Sequence, residues 1–351
     1  MGKRRRLPDE IGILGVLVLV AVVMSLLSPG FATLSNVQIL MLNGTVVAFL
    51  ALGQTLVLLT GGIDLSVGSN IALTGMLAAL SMQAGAPWWL AAVVAVAAGL
   101  AVGLVNGSII HFVKLPPFIV TFSTFGIAAA IPQILTGARS VTVVDPNFAI
   151  FGRGTYFGIP IPVIMLAVAA ILLTVLLNQT PSGVHIYAVG GNADASRLAG
   201  VNIGRKILTV YAISGVCAGL GGIITTSRLM VGYPTAGSGN EQFYSIASAV
   251  VGGVSLFGGV GTILGALLGA LLIATVSNGM NVIGVDSFWQ PLVIGVIILL
   301  GVSLDAVRRR VTVSEGLRHL FANKSPGEGE PPPPTASQQD SAGRIPVPTK
   351  E

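Results

Sequence analysis

Charged residues are scarce in this chain and unevenly distributed. They make up 9% of the 351 residues, against 53% hydrophobic residues and a mean hydropathy of +0.88. A soluble domain carries about 25% charged residues and could not keep so much apolar surface out of water. Of the 31 charged residues, 19 lie before Ile11 or after Leu304. The composition therefore predicts an integral membrane protein that crosses the bilayer several times.

The sequence also lacks the usual signs of chemistry. It has one cysteine, Cys217, which excludes an intramolecular disulfide and a cysteine-based zinc site. None of the five lysines lies in the G-x-x-x-x-G-K-[ST] pattern that cradles nucleotide phosphates. The three histidines and the candidate nucleophiles form no recognisable catalytic set, and no metal-ligand spacing occurs. We therefore expect no catalytic residue, metal or cofactor in this chain, which moves or anchors another molecule.

Long hydrophobic stretches, by contrast, are plentiful. A helix needs about 20 apolar residues to cross the hydrocarbon of a bilayer. The first stretch follows four basic residues, as in a signal peptide, but no clean small-x-small cleavage site follows, which favours an uncleaved anchor. The pattern predicts an all-α bundle with ten spans, at 11–27, 37–59, 65–82, 88–110, 117–136, 160–178, 206–226, 242–256, 262–280 and 289–305.

Basic residues predict the orientation of the spans. With ten spans and an inner N terminus, 11 basic residues lie inside, and only Arg139, Arg153 and Arg228 lie in outer loops. This excess obeys the positive-inside rule, puts both termini in the cytoplasm, and explains the net charge of +5 better than nucleic-acid binding does. We expect a basic N terminus at 1–10, a transmembrane domain at 11–310 and a cytoplasmic tail at 311–351, disordered from about residue 323.

The segment TGGIDLSVGS at 60–69 puts Asp64 between two apolar stretches. A carboxylate in hydrocarbon is costly and needs a reason. Asp64 is a helix N-cap for the span that begins near Leu65, with an N–H partner near Val67, or it is hydrogen-bonded in a protein-lined cavity, or it binds a coupling ion or proton. The sequence leaves the three interpretations open.

Glycine, with 46 residues, is abundant for a reason that membranes supply. Small residues four apart let helix backbones approach closely. Gly261, Gly265 and Gly269 have this spacing, as do Gly215 and Gly219, and predict helix contacts within or between subunits.

A partial internal repeat accompanies these glycines. Glycine-rich breaks at matching places in two halves of a chain are typical of transporters. Four positions of VGGVSLFGGVGT at 251–262 align with TGGIDLSVGS: Gly252, Gly253, Leu256 and Gly259 match Gly61, Gly62, Leu65 and Gly68.

The longest inner loop contains a short helix pattern. Asn192 is a good N-cap and Gly200 a good C′ residue, which predicts a two-turn helix at 193–199. Ala195 and Leu198 belong to a small apolar face of this helix, with Arg197 beside it. The pattern fits an element that docks on a partner, and equally an ordinary loop helix.

Several blocks of the sequence together resemble a known family. TGGIDLSVGS, KLPPFIVTFST at 114–124, YAVGGNADASRLAGVNI at 187–203 and GSGNEQFYSIASAVVGGVSLFGGVG at 237–261 occur in this order. They are similar to the membrane permease subunits of ribose/xylose-type ABC monosaccharide importers, from roughly Phe31 to Asp305.

The resemblance implies partners and a division of labour. Such permeases pair with themselves or with a paralogue in the bacterial inner membrane, bind a separate ATPase subunit that holds ATP and magnesium, and receive sugar from an extracytoplasmic binding protein. GGNADASRLAG resembles the family's ATPase-coupling segment, which carries that role to Gly191, Asn192, Ala195, Arg197, Leu198 and Gly200.

One stretch departs from the family pattern. Where many relatives have G-Y-E-L-D-A-I-A-A-V, this chain keeps Glu241 on the side of the binding protein but lacks the following aspartate, so sugar preference there is open.

A sugar passage needs amides, hydroxyls and an aromatic plane. Each polar residue in a span is a candidate, although each is equally suited to bonding a neighbouring helix. The candidates are Asn43, Gln54, Asp64, Asn70, Asn106, Thr121, Thr124, Asn278 and Trp289.

The sequence favours one functional class over two others. An ATP-driven sugar permease accounts for the missing P-loop, while an ion-coupled secondary transporter would need buried titratable groups, of which Asp64 is the one candidate. A channel is disfavoured because rings of charge and a filter-like repeat are missing. The sugar and the choice between a homodimer and a heterodimer stay open.

Overall fold

The computed structural model is almost entirely helical and describes residues 9–237 and 239–303. The basic N terminus before residue 9 and the tail at 311–351 lie outside the described residues. The helices are α1 (Asp9–Leu27), α2 (Leu34–Leu59), α3 (Val67–Gln83), α4 (Trp88–Ser108), α5 (Pro117–Thr136), α6 (Ile150–Arg153), α7 (Ile161–Gln179), α8 (Pro181–Gly191), α9 (Ala193–Leu198), α10 (Ile203–Leu229), α11 (Glu241–Val251), α12 (Ile263–Val282) and α13 (Trp289–Ser303).

Short irregular elements complete the fold. A π-helical segment, Ile109–Val113, extends α4, and a 3₁₀ turn at Pro146–Ala149 precedes α6. Two antiparallel strand pairs join β1 (Val141–Thr142) to β4 (Val231–Gly232) and β2 (Thr155–Tyr156) to β3 (Ile159–Pro160).

The helices confirm a multi-pass membrane bundle. Within the described residues, seven are long and apolar enough to cross a bilayer, namely α1, α2, α4 with its π extension, α5, α7, α10 and α12. The other three predicted spans are shorter helices: α3 has 17 residues, α11 has 11, and the described part of α13, Trp289–Ser303, is also under span length. The predicted span 242–256 was too long, because α11 ends at Val251.

Helix α3 lies at the centre of the bundle. It packs against α4, α5 and α10, and most of its residues are buried, including polar Ser69, Asn70 and Thr74. The second half of α2, from Ala48 to Leu59, is buried as well. Helix α1 is the opposite case, since only 6% of the residues in its apolar stretch are buried and its outer face is free to meet lipid. Polar residues therefore collect at the protein-enclosed centre.

Glycines bring α4 and α10 into backbone contact. A Cβ atom at Gly215 would overlap the Gly99 carbonyl oxygen, and one at Gly103 would overlap the carbonyl oxygen of Tyr211. Gly219 lies against α4 in the same way, with Val96 Cα 3.2 Å from its would-be Cβ. The prediction that Gly215 and Gly219 mark a helix contact is confirmed, and the contact lies within one subunit.

A single added methyl group tests this contact. We expect Gly215→Ala to lower the free energy of unfolding by about 1–3 kcal/mol, because the obstacle is a rigid backbone carbonyl. The check is the melting temperature of the detergent-solubilised protein. Gly126→Ala on α5 is the matched control, since its Cβ would meet nothing within 4 Å. Equal melting temperatures for both variants would contradict the packing argument.

A second glycine contact joins α11 to α12, with one correction. Gly265 and Gly269 lie against the backbone of Gly252 and Ser248, as small-residue spacing predicts. Gly261 does not share that face. It precedes α12, has φ of 144°, and lies against Val254.

Two other expectations are wrong in detail. The inner loop holds an additional helix, α8, which starts at an N-cap, Thr180, followed by Pro181. Arg228 is not a loop residue. It lies in the last turn of α10, where its Nη1 donates to Asn43 Oδ1 (2.6 Å) and its carbonyl oxygen accepts from Arg153 Nε (2.7 Å).

Candidate functional site: two helix breaks and a loop helix pair

The first helix break, residues 60–66, begins with a glycine cap. Gly61 has φ of 78°, and its N–H donates to Leu58 O (2.8 Å) while that of Gly62 donates to Val57 O (3.1 Å). This is a Schellman ending, which needs a residue that tolerates positive φ. The glycines thus end α2 sharply and free the chain to turn.

Asp64 does not cap the next helix as the first interpretation proposed. The N-cap of α3 is Ser66, whose own side chain makes no capping bond. Asp64 Oδ1 accepts instead from the N–H of Ser66 (3.0 Å) and from its hydroxyl (2.6 Å), so its partner lies two residues on rather than at Val67.

The Asp64 carboxylate is fully enclosed and bonded on both oxygens. Its second oxygen, Oδ2, accepts from Ser214 Oγ of α10 at 2.8 Å, and the residue is 1% exposed. Within the described part of the chain the only ion pair is Arg197 with Asp194, so no cation compensates this carboxylate. The contacts match the second interpretation, a carboxyl group hydrogen-bonded inside protein.

Other helices converge on the same break. Gln54 of α2, with its amide oriented to satisfy both ends, donates to the Asp64 carbonyl oxygen (3.0 Å) and accepts from its N–H (3.3 Å). Asn106 Nδ2 of α4 donates to Ser66 Oγ (2.9 Å). Thr121 of α5 and Tyr211 of α10 donate to the Ile63 carbonyl oxygen at 3.1 and 3.3 Å. The break is therefore the centre of a hydrogen-bond network that links α2, α3, α4, α5 and α10.

Sequence reasoning identified part of this hydrogen-bond network. Gln54, Asp64, Asn106 and Thr121 were candidates, and the structure brings all four together. Ser66, Ser214 and Tyr211 were missed. The only available signal was that Ser214 adjoins the small-residue pair that starts at Gly215.

The remaining candidates lie elsewhere. Asn278 donates to Asn36 Oδ1 (3.1 Å), and Thr124 bonds carbonyl groups of its own helix. Asn43 is exposed and holds Arg228, and Trp289 is 56% exposed at the start of α13. In the residues that the structure describes, no group of three or more His, Cys, Asp or Glu is placed to hold a metal ion.

A second polar junction lies where the first turns of α3 and α11 meet. No Cβ fits at Gly68, because Gln242 Oε1 and the Gly237 carbonyl oxygen occupy its place. Five buried side-chain oxygens have no hydrogen-bond partner among the described residues, and three of them belong to residues in these first turns, Asn70 (Oδ1), Glu241 (Oε2) and Gln242 (Oε1). Acceptors of this kind suit a ligand that brings hydroxyl groups.

The second break, residues 252–262, ends α11 as the first ends α2. Gly253 has φ of 85°, and the N–H groups of Gly253 and Val254 donate to Val250 O and Ala249 O, each at 2.9 Å. Gly61 therefore corresponds to Gly253 and not to Gly252, so the aligned repeat is shifted by one residue. The same ending also occurs at Gly200, which shows that it is a general cap and no proof of duplication.

The two breaks touch each other. Gly259 N–H donates to the Leu59 carbonyl oxygen (3.0 Å), and Gly258 packs against Gly61. Glycine-rich chain from both places thus forms one patch at the ends of α2 and α11.

The loop between α7 and α10 contains α8 and α9, and α9 matches the helix predicted at 193–199 closely. Asn192 Oδ1 accepts from Ala195 N–H (2.9 Å), and Gly200 has φ of 82° after the C-cap. Leu198 is 91% exposed, and Ala195 and Arg197 are exposed beside it. The predicted caps are confirmed, and α9 presents an uncovered apolar side chain.

Comparison with known proteins gives a consistent set of similarities. The family described as "Branched-chain amino acid transport system / permease component" matches residues 36–302. The ribose import permease protein RbsC of Bacillus subtilis (strain 168) is 40% identical over 294 residues, covering 83% of this chain and 91% of that protein.

Two further relatives carry other sugar names. The D-allose transport system permease protein AlsC of Escherichia coli (strain K12) is 38% identical over 299 residues, covering 85% of this chain and 91% of the relative. The xylose transport system permease protein XylH of Haemophilus influenzae (strain ATCC 51907 / DSM 11121 / KW20 / Rd) is 31% identical, covering 84% and 96%. Among solved structures none matches this chain significantly.

Proposed function

Since this chain belongs to the permease-component family that matches residues 36–302, we propose that it is the membrane subunit of a bacterial inner-membrane importer for a monosaccharide. A separate ATPase subunit supplies the energy, so this chain is a transport subunit and not an enzyme. The relatives named for ribose, allose and xylose support a monosaccharide as cargo.

The exposed apolar face of α9 is the observation that carries the proposal. Leu198 is 91% exposed on a short, doubly capped helix, and burying its side chain against a partner would be favourable in free energy. A partner that buries Leu198 accounts for the exposed apolar side chain, and the exposed ion pair of Arg197 with Asp194 offers charge to the same contact. We assign that partner as the ATPase subunit and place α9, with both chain termini, in the cytoplasm.

Two further partners follow from this assignment. An extracytoplasmic binding protein delivers the sugar on the side of Glu241. A second permease, either a copy of this chain or a paralogue, completes the passage. One bundle alone covers its polar residues with its own helices, so the passage forms where two bundles meet. The proposal places the sugar beside the acceptors of the α3–α11 junction, Asn70 and Gln242, which suit hydroxyl donors.

An ion-coupled transporter is the alternative to test. It needs a buried group that takes up and releases a cation, and Asp64 is the candidate. Both of its oxygens already accept hydrogen bonds from serines, which supports a structural role instead.

Reconstitution tests the proposal directly. The permease is placed in liposomes with its partner ATPase and binding protein, and ATP hydrolysis and uptake are measured with a panel of monosaccharides. We expect one liganded binding protein to stimulate hydrolysis together with uptake. Uptake that needs an ion gradient and no ATPase would overturn the proposal.

A further inference from the structure

Helix α8 meets both glycine-rich breaks at Gly190. A Cβ atom at Gly190 would overlap the Leu59 carbonyl oxygen at the end of α2 and would lie 2.6 Å from the Gly259 nitrogen. From the other side, a Cβ at Gly258 would lie 2.8 Å from the Gly190 carbonyl oxygen and 3.0 Å from the Gly61 nitrogen. Backbone packs directly on backbone here, since the atoms nearest to both would-be Cβ positions all belong to the main chain.

Hydrogen bonds hold this contact together. Gly259 N–H donates to Leu59 O (3.0 Å), which ties the second break to the end of the first helix. Tyr187 Oη, three residues before Gly190, donates to the Gly261 carbonyl oxygen (2.8 Å). Burial raises the pKa of Tyr187, so its hydroxyl stays protonated and able to donate at neutral pH.

Helices α8 and α9 are joined without slack. Asn192 alone separates them and serves both: its N–H donates to the Ala188 carbonyl oxygen (3.0 Å) and its side chain caps α9. The same residue therefore fixes the end of one helix and the start of the next. A displacement of α9 is transmitted to α8 as a whole.

We propose that Gly190 is a positioning residue for transport, through which α8 delivers a displacement of α9 to the inner ends of α2 and α11 at once. The inference rests on the proposed coupling role of α9 and extends it to the next contact inward. The two breaks then move as one unit, and α3 and α12, which start just beyond them, change orientation together. Glycine is required because the contact is made by main-chain atoms.

Gly190→Ala tests the proposal in the complete complex with its ATPase and binding protein. Alanine favours helix over glycine, so a loss of function cannot come from weakened helix propensity. We expect uptake and stimulated ATP hydrolysis to fall about tenfold, while ATPase binding and basal hydrolysis stay near wild type and the melting temperature falls no further than in Gly215→Ala, which has the same kind of backbone clash away from this contact. Tyr187→Phe, which removes one hydrogen bond at constant shape, should lower stimulated hydrolysis by about fivefold.

The control is Val184→Leu, which adds volume on the exposed face of the same helix, where Val184 is 65% exposed. It should match wild type. Normal coupling in Gly190→Ala would overturn the proposal, and so would an equal loss of basal hydrolysis, stimulated hydrolysis and thermal stability, because that pattern marks plain misfolding. A wild-type complex without stimulated hydrolysis would refute the proposed function itself, before any variant is compared.

Discussion

Replacing Asp64 with leucine is expected to remove most of the folded protein from the membrane. The change deletes the acceptor for three buried donors, the N–H and hydroxyl of Ser66 and the hydroxyl of Ser214. Each buried group left unpaired costs about 1–3 kcal/mol. The combined loss is a large share of the free energy of unfolding of a typical protein, which is roughly 5–15 kcal/mol. Yield and melting temperature of the solubilised protein measure the effect.

Asp64→Asn is the matched comparison. Asparagine keeps an oxygen for Ser66 and offers an N–H to the Ser214 oxygen, so we expect a loss of about 1–2 kcal/mol and a protein that still folds. A leucine variant as abundant and heat-resistant as wild type would contradict the claim that the hydrogen-bond network around Asp64 stabilises the fold. If the asparagine variant folds normally and yet loses all uptake, the negative charge matters for transport, which favours the ion-coupled alternative.

Leu198→Asp is expected to abolish uptake while the permease stays in the membrane at normal amounts. The side chain is exposed in the chain alone, so the folded bundle loses little. In the assembled importer a buried leucine contributes about 1.5–3 kcal/mol, and a buried carboxylate adds a further penalty. We expect binding of the ATPase to weaken by about a hundredfold or more, which copurification and titration of the ATPase measure.

Conservative and deletion variants complete that test. Leu198→Met keeps an apolar side chain of similar volume and should retain uptake. Arg197→Glu and deletion of residues 193–199 should both abolish it, since the first reverses the charge beside Leu198 and the second removes the helix. Normal uptake in Leu198→Asp together with the deletion would show that α9 does not couple to an ATPase.

Local signals in the sequence predicted local structure well. Asn192 and Gly200 gave the caps of α9, and the helix ends at Leu198, within one residue of expectation. Apolar length gave the membrane helices. Helix α8 was missed although Thr180 and Pro181 form a good helix start, and its glycines Gly183, Gly190 and Gly191 lower helix propensity. In the structure Gly183 and Gly190 are needed for backbone contacts, which tertiary packing favours over propensity.

Long-range partners were beyond sequence reasoning. The position of Asp64 near a helix start made a cap one of its three interpretations, but its second oxygen is bonded by Ser214, 150 residues away in the chain. Nothing in the spacing of Ser214 identifies that partner, since the pairing depends on how α10 crosses α2 and α3. The same holds for Tyr211 and the Ile63 carbonyl oxygen. Residue types indicated where the polar centre lies, and only the packing of the helices showed which residues are hydrogen-bond partners.

The enclosed position of α3 has a consequence for how the protein is made. The helix, which carries the buried polar residues Asn70 and Thr74, packs chiefly against α10 and α4 in the finished bundle, yet α10 begins at Ile203. At about 5–20 residues per second, the roughly 120 residues between the end of α3 and the start of α10 take about 6–24 s to synthesise. Throughout that interval α3 and its polar residues lack one of their final neighbours. We therefore expect membrane insertion of this permease to need machinery that holds α3 until α10 has been synthesised.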